Sequence, residues 1–164
     1  MNELAENYVA LIQENENIIH KVIGMHVIDA EDKKDLFQEV LLQSWKSFPK
    51  FEARANFSTW LYRVSLNTVF TFKKRVKKRI NLEEVRVDPA NTEESKDEPH
   101  ELLYRIIQNL GEVDCTIMTL HLDGYKNKEI GEIIGLKLNH INVKIHRLKE
   151  QIVESYKHAL DGRV

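Results

Sequence analysis

Apolar residues recur at helical spacing along nearly the whole chain, and this periodicity restricts the fold to helices. The clearest case is Ile141, Ile145, Leu148 and Ile152, which share one face of a helix. Alternating β-branched segments are scarce, and only three prolines and six glycines interrupt 164 residues. We therefore predict an all-α fold of two small helical domains joined by a flexible acidic linker, the second domain containing a helix-turn-helix.

Three helices are predicted in the first half. The second opens at Asp29 or Glu31 and stops at Pro49, and Ser58 occupies the N-cap position of the third. The predicted helices are 3–22, 31–48 and 58–79. Their predicted buried positions are Leu4, Val9, Leu11, Ile12, Ile18 and Ile19 in the first, Leu36, Phe37, Val40, Leu41, Ser44 and Phe48 in the second, and Trp60, Leu61, Val64, Thr68 and Phe72 in the third.

A polar, acidic stretch at 81–99 separates the two halves. It contains Pro89 and Pro99 and lacks a core pattern, so it is predicted to be a flexible linker between domains 1–80 and 100–164. A long surface loop within one domain is the alternative. The second half has four apolar segments, 100–110, 113–122, 126–134 and 138–158, with Gly111, Gly124 and Gly135 between them where C-cap glycines lie.

Charge is arranged in blocks, although the net charge is only −2. Residues 40–82 carry +9 and residues 126–164 carry +3, whereas 1–39 carry −6 and 83–125 carry −8. Two basic blocks separated by acidic ones indicate two contacts with a polyanion such as nucleic acid. Chance scatter of charge is the alternative interpretation.

Motifs for catalysis or for a cofactor are absent from the sequence. There is no phosphate loop, nucleophile motif or metal-ligand cluster, and His140 and His146 are badly spaced for a shared metal. Cys115, the only cysteine, excludes an internal disulfide. No apolar run approaches the roughly 18 residues that span a bilayer, and the acidic N-terminus does not resemble a signal peptide. We expect a cytoplasmic protein without membrane insertion, cofactor, metal or enzyme activity; a helical hydrolase is the enzymatic alternative.

The segment 127–152 has the pattern of a helix-turn-helix. Gly135 supplies the turn, and the helix after it has a face of amides and bases with no acid before Glu150. Such side chains suit the major groove, where asparagine pairs with adenine and arginine or lysine with guanine or phosphate. A solvated face of an ordinary helical hairpin is the alternative. The candidate DNA contacts are Asn139, His140, Asn142, Val143, Lys144 and Arg147, and His146 lies on the same face.

One face of the 31–48 helix is predicted to bind a protein. It places Leu42 in a polar, mostly acidic setting formed by Asp35, Gln38 and Glu39. An apolar anchor surrounded by charges is typical of an interface. Single exposed leucines are also common on protein surfaces, which is the alternative.

The 58–79 helix and the connection before it are candidates for nucleic-acid binding. Arg63, Asn67, Phe70 and Lys74 share a helix face, and residues 73–79 add six positive charges. This stripe suits phosphates and unstacked bases. The connection 49–57, with its phenylalanines, Arg54 and Asn56, is a hypothetical cradle for an extruded base. A solvated helix end is the alternative for the basic run alone.

These motifs resemble those of the extracytoplasmic-function (ECF) sigma factors of the sigma-70 family. The second conserved region of that family is similar to residues 35–40 (DLFQEV), Trp45, residues 51–64 (FEARANFSTWLYRV) and Asn67. The fourth region is similar to 124–135 (GYKNKEIGEIIG) with 143–148 (VKIHRL). The resemblance implies a non-catalytic alternative sigma factor that carries RNA polymerase to promoters and assists their opening.

The resemblance also implies roles for matching residues. Partners would be core RNA polymerase, through its β′ and β subunits, and promoter DNA, with an anti-sigma factor as a further candidate; the linker would run toward the RNA exit path. Residues implied to bind the β′ clamp helices are Asp35, Gln38, Glu39 and Leu42. Those implied at the −10 element are Phe51, Arg54, Asn56, Ser58, Thr59, Arg63, Asn67, Phe70 and Lys74. Those implied at the −35 element are Asn139, His140, Asn142, Val143, Lys144 and Arg147.

Two departures from the family pattern concern the second half. Residues 139–142 replace the usual small residue, threonine, valine and base, which predicts an unusual −35 sequence. Residues 109–115 lack the proline common in their counterpart. The second half alone also fits a helix-turn-helix regulator that does not join the polymerase, which is the alternative function.

Overall fold

The computed structural model describes residues 2–83 and 98–162, and the chain divides into two compact units, Met1–Glu84 and Val85–Val164. All regular structure in the described residues is helical, which confirms the predicted all-α class. The first unit contains α1 (Glu3–His26), α2 (Ala30–Ser47), a 3₁₀ turn (Phe48–Lys50) and α3 (Phe57–Glu83). The second contains α4 (Pro99–Gln108), α5 (Glu112–Leu122), α6 (Asn127–Ile134) and α7 (Leu138–Asp161).

Local side chains decide where the first helices begin and end. Asp29 caps α2, because its Oδ1 accepts a hydrogen bond from the Asp32 amide at 2.9 Å, as predicted. Pro49 lies in the 3₁₀ turn just after α2. The predicted cap at Ser58 is wrong: α3 already begins at Phe57, and the Asn56 carbonyl accepts the Trp60 amide at 3.1 Å.

Helix α3 packs against both α1 and α2 and therefore buries a wider arc than the single stripe predicted. Its buried side chains include Leu61, Tyr62, Leu66 and Val69. Full burial was predicted for Trp60, Val64 and Phe72, but all three are only half-buried. A helix that contacts two neighbours shows two partly overlapping apolar faces, which a one-stripe pattern does not capture.

Tyr8 determines which face of α1 packs on α2. Its hydroxyl lies 2.7 Å from Ser44 Oγ and donates to the Leu41 carbonyl at 3.0 Å, and its ring meets Trp45 edge-on. Burial raises the pKa of the Tyr8 hydroxyl, while the Ser44 hydrogen bond opposes that shift. The predicted burial of Leu4 and Val9 was wrong. Leu4 lies on the Tyr8 side of the helix but in its first turn and is 37% exposed, whereas Val9 points away from the Tyr8 face and is 49% exposed.

The described helices extend into both ends of the predicted linker. Helix α3 continues to Glu83, because no breaker follows Arg79, and α4 begins at Pro99. Proline suits the first turn of a helix, where its missing N–H has no partner to lose. The remaining residues of the predicted linker, 84–97, lie outside the described part of the chain.

The second unit is organised around α5 and α7. Buried Ile117 and Leu120 of α5 and the predicted stripe of α7, buried throughout, form its core. Gly135 ends α6 with φ 84°, a left-handed conformation that glycine adopts without a Cβ penalty, as predicted. The prediction for Gly111 was wrong: with φ −55° it precedes α5 as its N-cap.

Replacing Gly131 with valine is expected to destabilise the second unit by about 1–3 kcal/mol. A Cβ at this position would lie 2.7 Å from the Leu136 carbonyl oxygen, so the turn between α6 and α7 would have to move. Gly24 in α1 is a matched control, since a Cβ there meets nothing within 4 Å. Urea unfolding followed by circular dichroism measures both variants. If both variants lost the same amount of stability, the contact between Gly131 and the Leu136 carbonyl would not be what restricts this position to glycine.

Candidate nucleic-acid interface

The predicted protein-binding face of α2 is exposed. Asp35, Gln38 and Leu42 face solvent, with Leu42 45% exposed, and Glu39 is half-buried. Trp45, which sequence reasoning did not assign to this face, is 39% exposed and lies three residues after Leu42, on a neighbouring part of the helix surface. The three-residue spacing of Leu42 and Trp45 is the feature of the sequence from which this neighbour could have been predicted. Leu42 and Trp45 together give α2 a two-residue apolar surface beside acidic side chains.

A groove of about 430 Å³ between α2 and α3 brings together residues assigned to two different partners. Glu39, a predicted polymerase contact, lines one wall and accepts a 2.8 Å hydrogen bond from Gln43 Nε2. Asn67, a predicted DNA contact, lines the other wall with Arg75. The two predicted surfaces of the first unit therefore share a boundary.

The connection between α2 and α3 is anchored by an aromatic cluster. The rings of Phe48, Phe51, Phe57 and Trp60 have centroids 5.1–6.2 Å apart. Phe51 is half-buried and Phe57 is buried in this cluster, which helps fix the course of the connection. Ala53 has φ 54°, a left-handed conformation that is strained for a residue with a Cβ.

The polar residues predicted to contact DNA lie around this anchored connection. Arg54 is exposed and forms a 2.7 Å ion pair with Glu52, also exposed, so the pair contributes little and exchanges readily with a phosphate. Asn56 is exposed, whereas Ser58 and Thr59 are half-buried in the first turn of α3.

The predicted stripe of α3 is largely open to solvent. Arg63, Asn67 and Lys74 are exposed, whereas Phe70 is half-buried with its ring centroid 5.3 Å from that of His26. The basic run continues this surface toward the end of the helix. Its exposed members are Lys74, Arg75, Lys77, Lys78 and Arg79. Their charges lie on successive helical turns, which suits an extended phosphate backbone.

The amide and basic face of α7 is exposed as the helix-turn-helix pattern predicts. Its exposed members are Asn139, His140, Asn142, Val143, His146 and Arg147. Val143, 49% exposed, is the apolar member of the face and suits a thymine methyl group.

Two contacts that the sequence did not reveal hold this face in place. Lys144 Nζ pairs with Asp114 Oδ1 of α5 at 2.7 Å, and Asn127 Nδ2 of α6 donates to Asn142 Oδ1 at 2.8 Å. Both link α7 to other helices of its unit. Thirty and fifteen residues separate the partners, so neither pairing has a local sequence signal.

The described residues contain neither a metal-ligand cluster nor a membrane-spanning helix. Over 2–83 and 98–162, no group of three or more His, Cys, Asp or Glu side chains is arranged to hold a metal. None of the seven described α-helices has the length and apolarity required to cross a membrane.

Residues 11–79 match the family model for sigma-70 region 2. The ECF RNA polymerase sigma-E factor of Haemophilus influenzae is 26% identical over 151 residues, covering 81% of this chain and 80% of that protein. The sigma-E factor of Escherichia coli is 25% identical over 151 residues, with 81% and 79% coverage. The RNA polymerase sigma-H factor of Pseudomonas aeruginosa is 24% identical over 152 residues, with the same coverage.

Two solved structures share the fold at 16% identity. The sigma factor RpoE of Bartonella quintana, solved with the anti-sigma factor NepR, superposes with a TM-score of 0.67 over 93% of this chain and 97% of that one. CnrH, solved with the cytosolic domain of CnrY, gives a TM-score of 0.64 over 98% and 91%.

These matches relate the chain to RNA polymerase sigma factors of the sigma-70 family, and the relatives from Haemophilus influenzae and Escherichia coli are sigma factors of the extracytoplasmic-function group. Members of this group are transcription initiation factors and not enzymes. The alternative of a helix-turn-helix regulator that does not join the polymerase finds no support among these relatives.

Proposed function

We propose that this alternative sigma factor binds core RNA polymerase through α2, directs it to specific promoters through α7, and assists DNA opening through α3 and the connection before it. The observation that carries the proposal is exposed Leu42 in an acidic setting on α2, within the segment that matches sigma-70 region 2. A helix-turn-helix alone would explain DNA binding but not this apolar anchor. Asp35, Gln38 and Glu39 would surround Leu42 at the β′ clamp helices.

The first unit would hold the open non-template strand of the −10 element. Phosphates would bind the exposed lysine and arginine side chains of α3. Unstacked nucleobases would contact the connection around Arg54 and Asn56. The aromatic cluster supports this role by fixing the connection before DNA arrives, which lowers the entropy lost on binding. Protein groups that bind the single strand better than the duplex shift the equilibrium toward the open promoter. No bond is made or broken by the protein.

The second unit would read the −35 element as duplex DNA. The exposed face of α7 supports this role, since it offers amide, basic and methyl groups of the kinds that read base edges. Joining two weak DNA-binding units in one chain raises their joint affinity, because the second contact becomes intramolecular. Binding to polymerase would hold the two units at a fixed separation. This separation would select promoters with one particular spacing between the −10 and −35 elements.

Further partners follow from the family. An anti-sigma factor is a candidate partner, since RpoE of Bartonella quintana was solved in complex with one, and the β subunit would contact the second unit. The acidic linker would pass through the polymerase toward the RNA exit path. Because bacterial transcription takes place on the chromosome, the protein would act in the cytoplasm.

The proposal is tested by transcription of genomic DNA fragments with core polymerase of the source organism, with and without this protein. New discrete RNA 5′ ends that require the protein are the expected result, and the DNA upstream of them gives the −10 and −35 sequences. Starts that require another sigma factor, or the absence of starts despite specific DNA binding, would show that the chain does not act as a sigma factor.

Replacing Asp114 with asparagine is expected to increase the salt dependence of duplex DNA binding. Asp114 pairs with Lys144, and both side chains are partly exposed, so the freed lysine would gain a phosphate contact. Each such contact changes the slope of log K against log salt by about 0.9. Fluorescence anisotropy of the full chain with duplex DNA over a salt series measures the slope. The double variant Asp114→Asn/Lys144→Gln should lack the increase; an equal increase in both would exclude Lys144 as its source.

A further inference from the structure

We propose that Asn127 on α6 determines base specificity at the −35 element by orienting the carboxamide of Asn142 as a hydrogen-bond donor. This inference rests on the proposed reading of DNA by α7. Asn127 Nδ2 donates to Asn142 Oδ1 at 2.8 Å, and Asn142 is exposed beside Val143 on the candidate DNA face. Asn127 itself is a positioning residue and needs no contact with DNA.

The framework under this pair is closely packed, so the backbone positions of the two asparagines are well defined. Ile130 of α6 and Ile141 of α7 are fully buried. Gly131 lies so near the Leu136 carbonyl oxygen that a Cβ would be only 2.7 Å away. The two helices therefore hold the backbones of Asn127 and Asn142 in a fixed relation, and in the structure the Asn142 oxygen is the atom that faces the Asn127 NH₂ group.

The selected orientation determines what Asn142 offers to DNA. A carboxamide has an acceptor oxygen on one side of its plane and an NH₂ donor on the other. Because the oxygen is turned toward Asn127, the NH₂ group is directed away from α6. In the major groove this donor fits guanine best, because guanine presents two adjacent acceptors, N7 and O6, whereas thymine presents only O4 and cytosine presents the N4 amino group, which is a donor.

The contribution of this bond is orientation and not stability. A hydrogen bond between half-buried Asn127 and exposed Asn142 replaces bonds that both amides make with water, so its loss changes stability little. Its loss does allow the Asn142 amide to rotate. An unrestrained asparagine can turn to the bidentate pairing with adenine that is usual for this residue. The Asn127 bond therefore favours guanine over adenine at the contacted position.

The test uses holoenzyme formed from the full chain and core polymerase, with a promoter whose −35 element is randomised and whose transcripts are sequenced. Wild type should enrich guanine at one position. In Asn127→Asp the new carboxylate only accepts, so Asn142 must donate to it and turn its oxygen outward. The ratio of guanine to adenine or cytosine at that position should then fall about tenfold, while other positions keep their preferences.

Two further variants separate specificity from charge and folding. Lys128→Gln, a neighbouring exposed position on α6, makes the same charge change as Asn127→Asp and should weaken binding without changing base preference. Asn142→Ala should flatten the preference at the same position only. Unchanged preferences in Asn127→Asp and Asn142→Ala, with a wild type that selects a −35 sequence, would overturn this inference alone. A wild type with no base preference across the −35 element would overturn the proposed reading by α7 as well.

Discussion

Leu42→Arg is expected to weaken binding of core RNA polymerase by at least about 30-fold, which corresponds to about 2 kcal/mol. Leu42 is 45% exposed on α2 and would fill an apolar pocket of the partner, which a larger, charged guanidinium group could enter only by losing its hydration. The fold should persist, because a substitution at this exposed helical position removes no core contact. Equilibrium titration of labelled protein with core polymerase measures the affinity.

Ile28→Arg is the matched control for this prediction. Ile28 is 90% exposed in the connection between α1 and α2, so its replacement adds the same charge and removes a similar apolar side chain away from the α2 face. Both variants should keep a melting temperature within about 3 °C of wild type. Unfolding of the Leu42 variant, or polymerase affinity equal to that of the control, would contradict the interface assigned to α2.

Periodicity predicted the helices well where one face of a helix packs and less well where two do. The α7 stripe from Ile141 to Ile152 is buried as predicted, because a single side of that helix meets its neighbours. In α1 the predicted phase was wrong at Val9, and Leu4 is exposed because it lies in the first turn of the helix. A buried tyrosine hydroxyl needs a hydrogen-bond partner, and that of Tyr8 bonds to Ser44. The Tyr8 face of α1 therefore packs inward. Hydrophobicity alone gives no weight to such a polar pairing.

Sequence reasoning named the exposed faces but not the contacts that orient them. The amide and basic residues of α7 were predicted as a set, and their exposure follows from the stripe on the opposite side. The bonds of Asn142 with Asn127 and of Lys144 with Asp114 join different helices and depend on how those helices pack. Likewise, Phe51 was considered as part of a base cradle, whereas its ring packs with Phe57. Tertiary packing decides which polar and aromatic groups remain available to DNA.

Lys77→Gln/Lys78→Gln is expected to weaken binding of the full chain to single-stranded DNA roughly 25-fold at 0.1 M salt. Both lysines are exposed near the end of α3, and glutamine keeps a similar length and helix propensity. Each lost phosphate contact lowers the salt slope for single strands by about 0.7, so the pair should lower it by about 1.4. Fluorescence anisotropy over a salt series measures both quantities.

Lys33→Gln/Lys34→Gln distinguishes a specific basic surface from net charge. This pair is also adjacent, exposed and helical, near the start of α2, and its loss changes the net charge by the same amount. If the end of α3 binds the phosphate backbone, only the α3 pair should lower the salt slope by more than about 0.7, the value for one phosphate contact. Equal slopes for the two double variants would identify the α3 run as a solvated helix end. Promoter opening would then have to depend on the other candidate contacts of the first unit, which are the connection around Arg54 and Asn56 and the earlier part of α3 around Arg63, because only groups that prefer the open strand shift the equilibrium.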